Sequence, residues 1–501
     1  MNVFFKPNMF YAIFILVITT VVYANMFRNG FTVDDHVFVG SYHPSIGEAF
    51  RGSVPRGHDG VYRPIRGILY NVYFHLFGVN PYGYHLHALI IHLTTTILVF
   101  LIAGSMVRLG YMKPIGSLLT ALFFGLHPVH TEAITYIASS MDETGVVFML
   151  TSLLCYLTIG TRQSLQKKHR YLLSFISITS AFLAYFTYEM TLTLPLLLLL
   201  YEYTLDQQHQ THADRLKKTF PYFLGAGMYL FVRFFLLSIT SRGVYLADSL
   251  HLTALTMTRV LVQYLWVMIF PIQLVQNHSI APGIEAFVYR GYRTAAILNQ
   301  SILDPEVLFS ISLIVTLLYS AVILRKKHPF ITFSIGWFFI ALLPVLGFVP
   351  QGSIMNERML YVASVGFILF LSWSLSSLYR AYTQYRIHTI AGITVIMLLY
   401  AGRTIMRNQD WSDDITLWQK DVLAAPTENA YARFALGNAY FGAKRYQEAI
   451  QQYEGSTVIN PGFAVGYASL WRVYRQIGNS DVSDQYYQKA AAAEPGFWEK
   501  P

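Results

Sequence analysis

Twelve apolar runs constrain this chain more than any other feature: 10–27, 83–107, 115–130, 144–160, 171–188, 190–204, 220–239, 256–275, 306–324, 331–349, 360–379 and 387–404. A helix needs about 20 mostly apolar residues to cross the hydrocarbon of a bilayer. A soluble fold could not bury so many such runs. Hydrophobic residues make up 54% of the chain and charged residues 13%, against about 25% charged in soluble domains. This excludes a soluble enzyme, a disordered chain and a secreted disulfide scaffold. Cys155 is the single cysteine and lies in an apolar run, so no intrachain disulfide can form. The reading is an all-α polytopic membrane protein. The net charge of +9 is then read as cytoplasmic-loop lysine and arginine rather than a nucleic-acid surface.

The basic loops set the orientation. Arg108 and Lys113, Arg162 to Arg170, Arg215 to Lys218, Arg325 to Lys327 and Arg380 to Arg386 all read as cytoplasmic. Working forward, the loop 28–82 is external; working backward, so is the C-terminal tail. Twelve crossings would put the tail inside, so one run should not cross. The choice falls on 256–275, which holds Arg259 and Gln263 and ends at Pro271. About eleven spans follow. Lys6 precedes the first run, which is read as an anchor rather than a signal peptide. From Ile405 onward there are nine basic and eleven acidic residues, against 27 and 16 before it. The domain boundary is expected there: 1–404 in the membrane and 405–501 outside it.

The tail has an internal period. Pro461 and Pro495 lie 34 residues apart. Leu436, Gly437, Tyr440, Ala449, Tyr453 and Ser456 precede the first, as Leu470, Trp471, Tyr474, Ser483, Tyr487 and Ala490 precede the second. This resembles the tetratricopeptide repeat, a helical hairpin that stacks into an α-solenoid. A helix with Trp411, Leu417, Trp418 and Leu423, ended by Pro426, would stack as a partial unit.

Chemistry needs polar groups at the ends of the runs. Asp34 and Asp35 follow the first run. Such a pair can deprotonate a hydroxyl, stabilise positive charge or bind a metal, or can be a loop turn with no chemistry. Tyr62-Arg63-Pro64-Ile65 comes next, then Tyr84-His85-Leu86-His87 with His92. His85 and His92 share a helix face, toward a cavity or toward hydrating water. His127-Pro128-Val129-His130-Thr131-Glu132 reads as a hydrogen-bonding cluster for substrate, a metal site or a structural loop. Its spacing is that of no known zinc motif, and Pro128 breaks the helix. Asp142-Glu143 open the next run. Glu189 marks a short turn or a polar cavity. Glu357-Arg358 precede Tyr361, and Arg358 can snorkel or clamp a phosphate through its planar fork.

These segments, in this order along nearly the whole chain, resemble the transmembrane and tetratricopeptide-repeat-containing O-mannosyltransferases and their bacterial relatives, which are C-type glycosyltransferases. The shared segments are the early Asp-Asp pair, YRPI from Tyr62, PYGYHLHALIIH from Pro81, HPVHTEAI from His127, ERMLYVAS from Glu357, and the repeats. The resemblance implies a polyprenyl-phosphate sugar donor, mannose as the sugar, and a Ser/Thr hydroxyl acceptor on a protein held by the repeats. It implies Asp34 or Asp35 as catalytic base, with Asp34 favoured, and Arg358 at the donor phosphate. Arg63, His85, His127, His130, Glu132, Asp142, Glu189, Glu357 and Tyr361 would line a vestibule. No cofactor is read from the residues, and a divalent metal is not expected. The chain departs from the family at Tyr188-Glu189, where Lys-Glu is frequent, and at His87, where Asn is frequent. Its two and a half repeats point to a bacterial inner membrane with periplasmic repeats, or to luminal repeats in an endoplasmic reticulum. The competing readings are transfer of another lipid-linked sugar or oligosaccharide to protein, lipid or glycan, and a non-enzymatic assembly scaffold. A transporter is disfavoured, because no internal duplication appears and the polar groups gather at one face.

Overall fold

The computed structural model describes residues 9–55, 60–162, 164–206, 211–240, 243–288, 294–495 and 498; Lys6 lies outside them. The fold is mostly helical, and each apolar run lies largely within one helix. Proline at the first helical position, where a missing N–H costs nothing, opens several of them: Pro81–Arg108, Pro114–Leu126, Pro305–Leu324 and Pro329–Leu342. Eight helices among the described residues are long and apolar enough to cross a membrane, and Pro114–Leu126 and Pro329–Val345 are shorter apolar helices. They mark an integral membrane protein. The run expected not to cross, 256–275, lies partly in Leu250–Ile269, a helix of 20 residues that is long and apolar enough to cross by length and composition. By contrast Leu194–Thr204 has 11 residues, a rise of about 17 Å.

Pro81–Arg108, Ile137–Thr161 and Leu360–Ala381 form the centre, with most of their apolar side chains buried. Arg386–Asp410 lies at the periphery, where Ile387, Val395, Leu398 and Leu399 face outward. That is the pattern of a lipid-facing helix, since lipid replaces protein as its apolar solvent. Between the first two long helices come three shorter ones, Asp35–Ser41, Ile46–Phe50 and Pro64–Phe77. His212–Phe231 ends in the wide π-helical turn Val232–Leu236, a geometry that often marks functional positions.

Arg386–Asp410 runs through residue 405 without a break. After it come Asp414–Ala424, Ala430–Gly442, Tyr446–Ile459, Ala464–Gln476 and Ser480–Ala493. Successive members pack together around Leu436, Tyr440, Tyr453, Leu470 and Val473. A small hairpin, Ser279–Ala281 paired antiparallel with Ile284–Glu285, fastens this layer. The Glu285 carboxylate accepts from the N–H groups of Ala430 and Tyr431, and Asp421 accepts from those of Gln276 and Asn277.

Close packing in the centre depends on Gly366. A Cβ there would lie 2.6 Å from the Ser334 carbonyl oxygen and 3.0 Å from the Phe338 nitrogen, both main-chain atoms. Gly366→Ala therefore pushes two helices apart and is expected to cost about 1–3 kcal/mol. Gly392→Ala has open space around it and serves as control. Thermal unfolding in detergent checks this: equal melting of the two variants would contradict the packing.

Candidate active site

The loop after the first helix is held at an unusual angle. Val33 has φ of +51°, a left-handed conformation that a β-branched residue rarely adopts. Its N–H donates to Asp414 Oδ1 at 2.8 Å, and Asp414 Oδ2 lies 2.9 Å from His36 Nε2. Gly30 N–H donates to the Ser412 carbonyl at 2.9 Å. Asn408 ties three segments together: its Oδ1 accepts from Thr135, and its Nδ2 donates to the Val22 carbonyl and to Asn25 Oδ1. This seam sets Asp34 at the start of the helix Asp35–Ser41, half-buried.

The two acids of the pair have different roles. Asp35 is buried, and its oxygens accept from the N–H groups of Thr32 (3.1 Å) and Ala138 (2.7 Å). It joins the loop to the start of Ile137–Thr161. Burial pushes its carboxyl up to about 8, against the pull of those two N–H groups. Asp34 shares its charged surroundings with Tyr136 and Arg358.

Arg358 sits in the single turn that precedes Leu360–Ala381. Its Nη1 pairs with Glu132 Oε1 at 2.5 Å, its main-chain N–H donates to Glu132 Oε2, and its guanidinium carbon lies 5.9 Å from the Tyr136 ring centroid. Glu132 is fully buried, so it aims the guanidinium. About 21% of the Arg358 side chain stays accessible, and among the described residues it makes no other side-chain hydrogen bond.

A second cluster adjoins it. Arg63 pairs with Asp142 and with Glu189, both at 2.5 Å, and its guanidinium lies 5.0 Å from the Tyr188 ring. Arg66 reaches Asp142 at 3.2 Å. Arg233, in the π-helical turn, reaches Glu189 at 3.2 Å. Burial works to raise the Glu189 carboxyl, but Arg63 and then Arg233 outweigh it and hold it below its ordinary value. Three guanidinium groups face two carboxylates, so the cluster carries one surplus positive charge.

Other expected residues lie elsewhere. His127 is held through both ring nitrogens, donating to the Met268 carbonyl and accepting from Val129 N–H. His130 is held by the Phe124 carbonyl and the Ser364 hydroxyl. His85 donates to the Asn29 carbonyl. Tyr361 pairs with His92, which also donates to the Gly125 carbonyl. Glu357 has partners of its own, accepting from Val275 N–H and meeting His278, with Arg407 at 3.6 Å. These residues are tied to partners of their own, whereas Glu132 with Arg358, and Arg63 with Asp142 and Glu189, form two neighbouring ion-pair groups whose charges Asp34 shares. Arg66, Arg233 and Asp414 were not foreseen. Arg233 had a signal, a lone charge inside an apolar run, and Arg66 lies one turn beyond Arg63.

No family model matches the chain. It resembles curated proteins named protein O-mannosyl-transferase. The mouse (Mus musculus) protein TMTC3 is 23% identical over 88% of this chain and 49% of its own. The fruit-fly (Drosophila melanogaster) Tmtc3 is 21% identical over 87% and 52%. The chain thus spans about half the length of the curated relatives it matches. Among solved structures, ArnT from Cupriavidus metallidurans bound to undecaprenyl phosphate aligns with a TM-score of 0.44 and 12% identity, over 97% of this chain and 76% of that one.

The Asp35 carboxyl makes stability depend on pH. Its value in the fold, about 8, is above the ordinary 3.8, so the folded state holds the proton more tightly. The contribution is complete below about pH 4 and is lost as pH rises toward 8. Asp35→Asn removes it. Melting in detergent should fall less between pH 5 and pH 8.5 in the variant than in the wild type; parallel curves would assign the slope to other groups.

Proposed function

We propose that the chain is an inverting glycosyltransferase that moves a single sugar, mannose by the names of its relatives, from a polyprenyl phosphate to a Ser/Thr hydroxyl of a protein on the external face of the membrane. The observation that carries this reading is Arg358, aimed by Glu132 and 5.9 Å from the Tyr136 ring with part of its fork accessible, in the same electrostatic surroundings as Asp34. Inversion needs a base at the acceptor and a cation at the leaving group. Asp34 takes the proton as the acceptor oxygen bonds to the anomeric carbon. The bond from that carbon to the phosphate oxygen breaks, and its electron pair leaves with the phosphate toward Arg358. Glu132 occupies one edge of the Arg358 fork and leaves N–H groups for the phosphate. Arg63, Arg66 and Arg233, set against Asp142 and Glu189, supply one surplus positive charge on the donor side, in place of the lysine absent at Tyr188. No cofactor enters the scheme.

In this reading residues 1–404 form the membrane unit and the helices after 405 form a tetratricopeptide-repeat solenoid that holds the acceptor. The repeats and Asp34 must lie on the same side. The hydrogen bond from Val33 to Asp414 supports this, and about eleven spans satisfy it. In the scaffold reading, by contrast, the paired buried acids and arginines would have no task.

Asp34→Asn keeps the shape and removes the base, so transfer should fall about 10²–10⁴-fold with expression and melting unchanged. Near wild-type turnover of the purified variant would remove Asp34 from this role. Arg358→Ala should raise the donor KM and lower kcat, while Arg358→Lys restores only part, lacking the two-pronged fork. Unchanged donor kinetics in both would return Arg358 to snorkelling.

The topology has its own test. With Cys155 replaced, Asn479→Cys should react with a membrane-impermeant maleimide in intact cells or spheroplasts. Labelling only after the membrane is opened would place the repeats on the wrong side for an external transfer.

A further inference from the structure

A cavity of about 460 Å³ opens at the surface between Leu250–Ile269 and Pro305–Leu324, with Arg259, Gln263, Ile280, Glu306, Phe309 and Ser310 in its wall. None of these residues belongs to the candidate active site. Pro305–Leu324 has 20 residues, a rise of about 30 Å, which is the thickness of the hydrocarbon. Glu306, in its first turn, therefore stands at the level of the lipid headgroups. Phe309, Val315 and Val322, farther along the same helix, are exposed as a lipid-facing side chain would be. The molecule that a bilayer brings to such a cavity is a phospholipid.

The polar wall sorts headgroups. Arg259 is held by two loose ion pairs, Nη2 to Asp304 at 3.4 Å and Nε to Glu306 at 3.6 Å. About 12% of its side chain stays accessible, and among the described residues its Nη1 makes no hydrogen bond. The Glu306 side chain is 69% exposed, so its carboxylate has room for further donors. Gln263 donates to the Ile280 carbonyl at 3.0 Å and ties the helix side of the wall to the hairpin. One guanidinium against two carboxylates leaves a surplus negative charge. A phosphate can take Arg259, but a headgroup with a net negative charge is then repelled. A headgroup that carries a cation beside its phosphate is not. A primary ammonium also brings three N–H donors to Glu306, and a quaternary amine brings none.

We propose that this cavity binds a zwitterionic phospholipid with a primary ammonium, its phosphate on Arg259 and its ammonium on Glu306. This lipid is separate from the sugar donor.

The test is native mass spectrometry of the full chain, delipidated in detergent and then given phosphatidylethanolamine, phosphatidylcholine and phosphatidylglycerol with the same acyl chains. Wild type should retain the ethanolamine lipid about tenfold over the other two, the low end for hydrogen bonds to a charged group. Glu306→Gln cancels the surplus charge and should bring the glycerol lipid level with the ethanolamine lipid. Arg259→Gln should weaken every lipid, the glycerol lipid most. Glu306 is exposed, so its variant should fold as wild type does and carries the test should the Arg259 variant not fold. Equal retention of the three lipids by wild type would mean annular lipid only and overturn the site. A preference for the glycerol lipid, a choline lipid held as tightly as the ethanolamine lipid, or a ranking unchanged in Glu306→Gln would overturn it too.

Discussion

The hydrogen bond from Val33 to Asp414 holds the candidate base where it is. A left-handed backbone costs a non-glycine residue about 1–2 kcal/mol, and more for one branched at Cβ. A hydrogen bond to a carboxylate returns about 1.5–3 kcal/mol. The two nearly offset, so the turn persists because Asp414 is there. The same carboxylate takes His36, whose ring is held above its ordinary value chiefly by that bond. With Asn408 bonding to Val22, Asn25 and Thr135, the end of one helix, the start of a second and the loop of a third become one unit. Asp34 inherits its position from that unit rather than from its own short helix.

The arginine clusters obey a different constraint. Buried ions cost several kcal/mol each to desolvate, and they are tolerated when geometry and hydrogen bonding are complete. Arg63 meets this by dividing its fork between Asp142 and Glu189, and Arg66 and Arg233 close the far sides of those two acids. The pairing is unequal by one positive charge. A cluster with matched charges would only hold helices together; one with a surplus guanidinium also favours an anion beside it. Arg358 differs in that a single acid orients it and part of it stays accessible, which suits a group that must meet a ligand.

The helices were legible in the sequence because apolar length is a local property. The run from 360, for instance, became Leu360–Ala381. The site was legible only in part. Residue type alone does not separate Asp34 from Asp35, and only the family resemblance favours Asp34; the structural difference between them comes from Ala138, more than a hundred residues away. The pairing of His85 and His92 on one face read as a cavity or as hydration. Their acceptors, the carbonyls of Asn29 and Gly125, are main-chain groups with no side-chain signature. Asp414 was invisible for the same reason: nothing in a string of residues couples it to Val33, 381 positions earlier.

That distant contact also bears on topology more directly than loop charge does. A hydrogen bond of 2.8 Å cannot span a hydrocarbon core of about 30 Å, so the chain between Val33 and Asp414 crosses the membrane an even number of times. Eleven runs lie in that interval, an odd number. At least one of them therefore stops short or turns back, whichever way the loop charges point. The segment Glu189–Thr204 runs alongside Ile137–Thr161 for most of that helix's length: Glu189 meets Arg63, which pairs with Asp142 near its start, and Glu202 accepts from Tyr156 near its other end. Its short regular helix is therefore no sign of a segment that turns back, and the odd run is to be sought among the others.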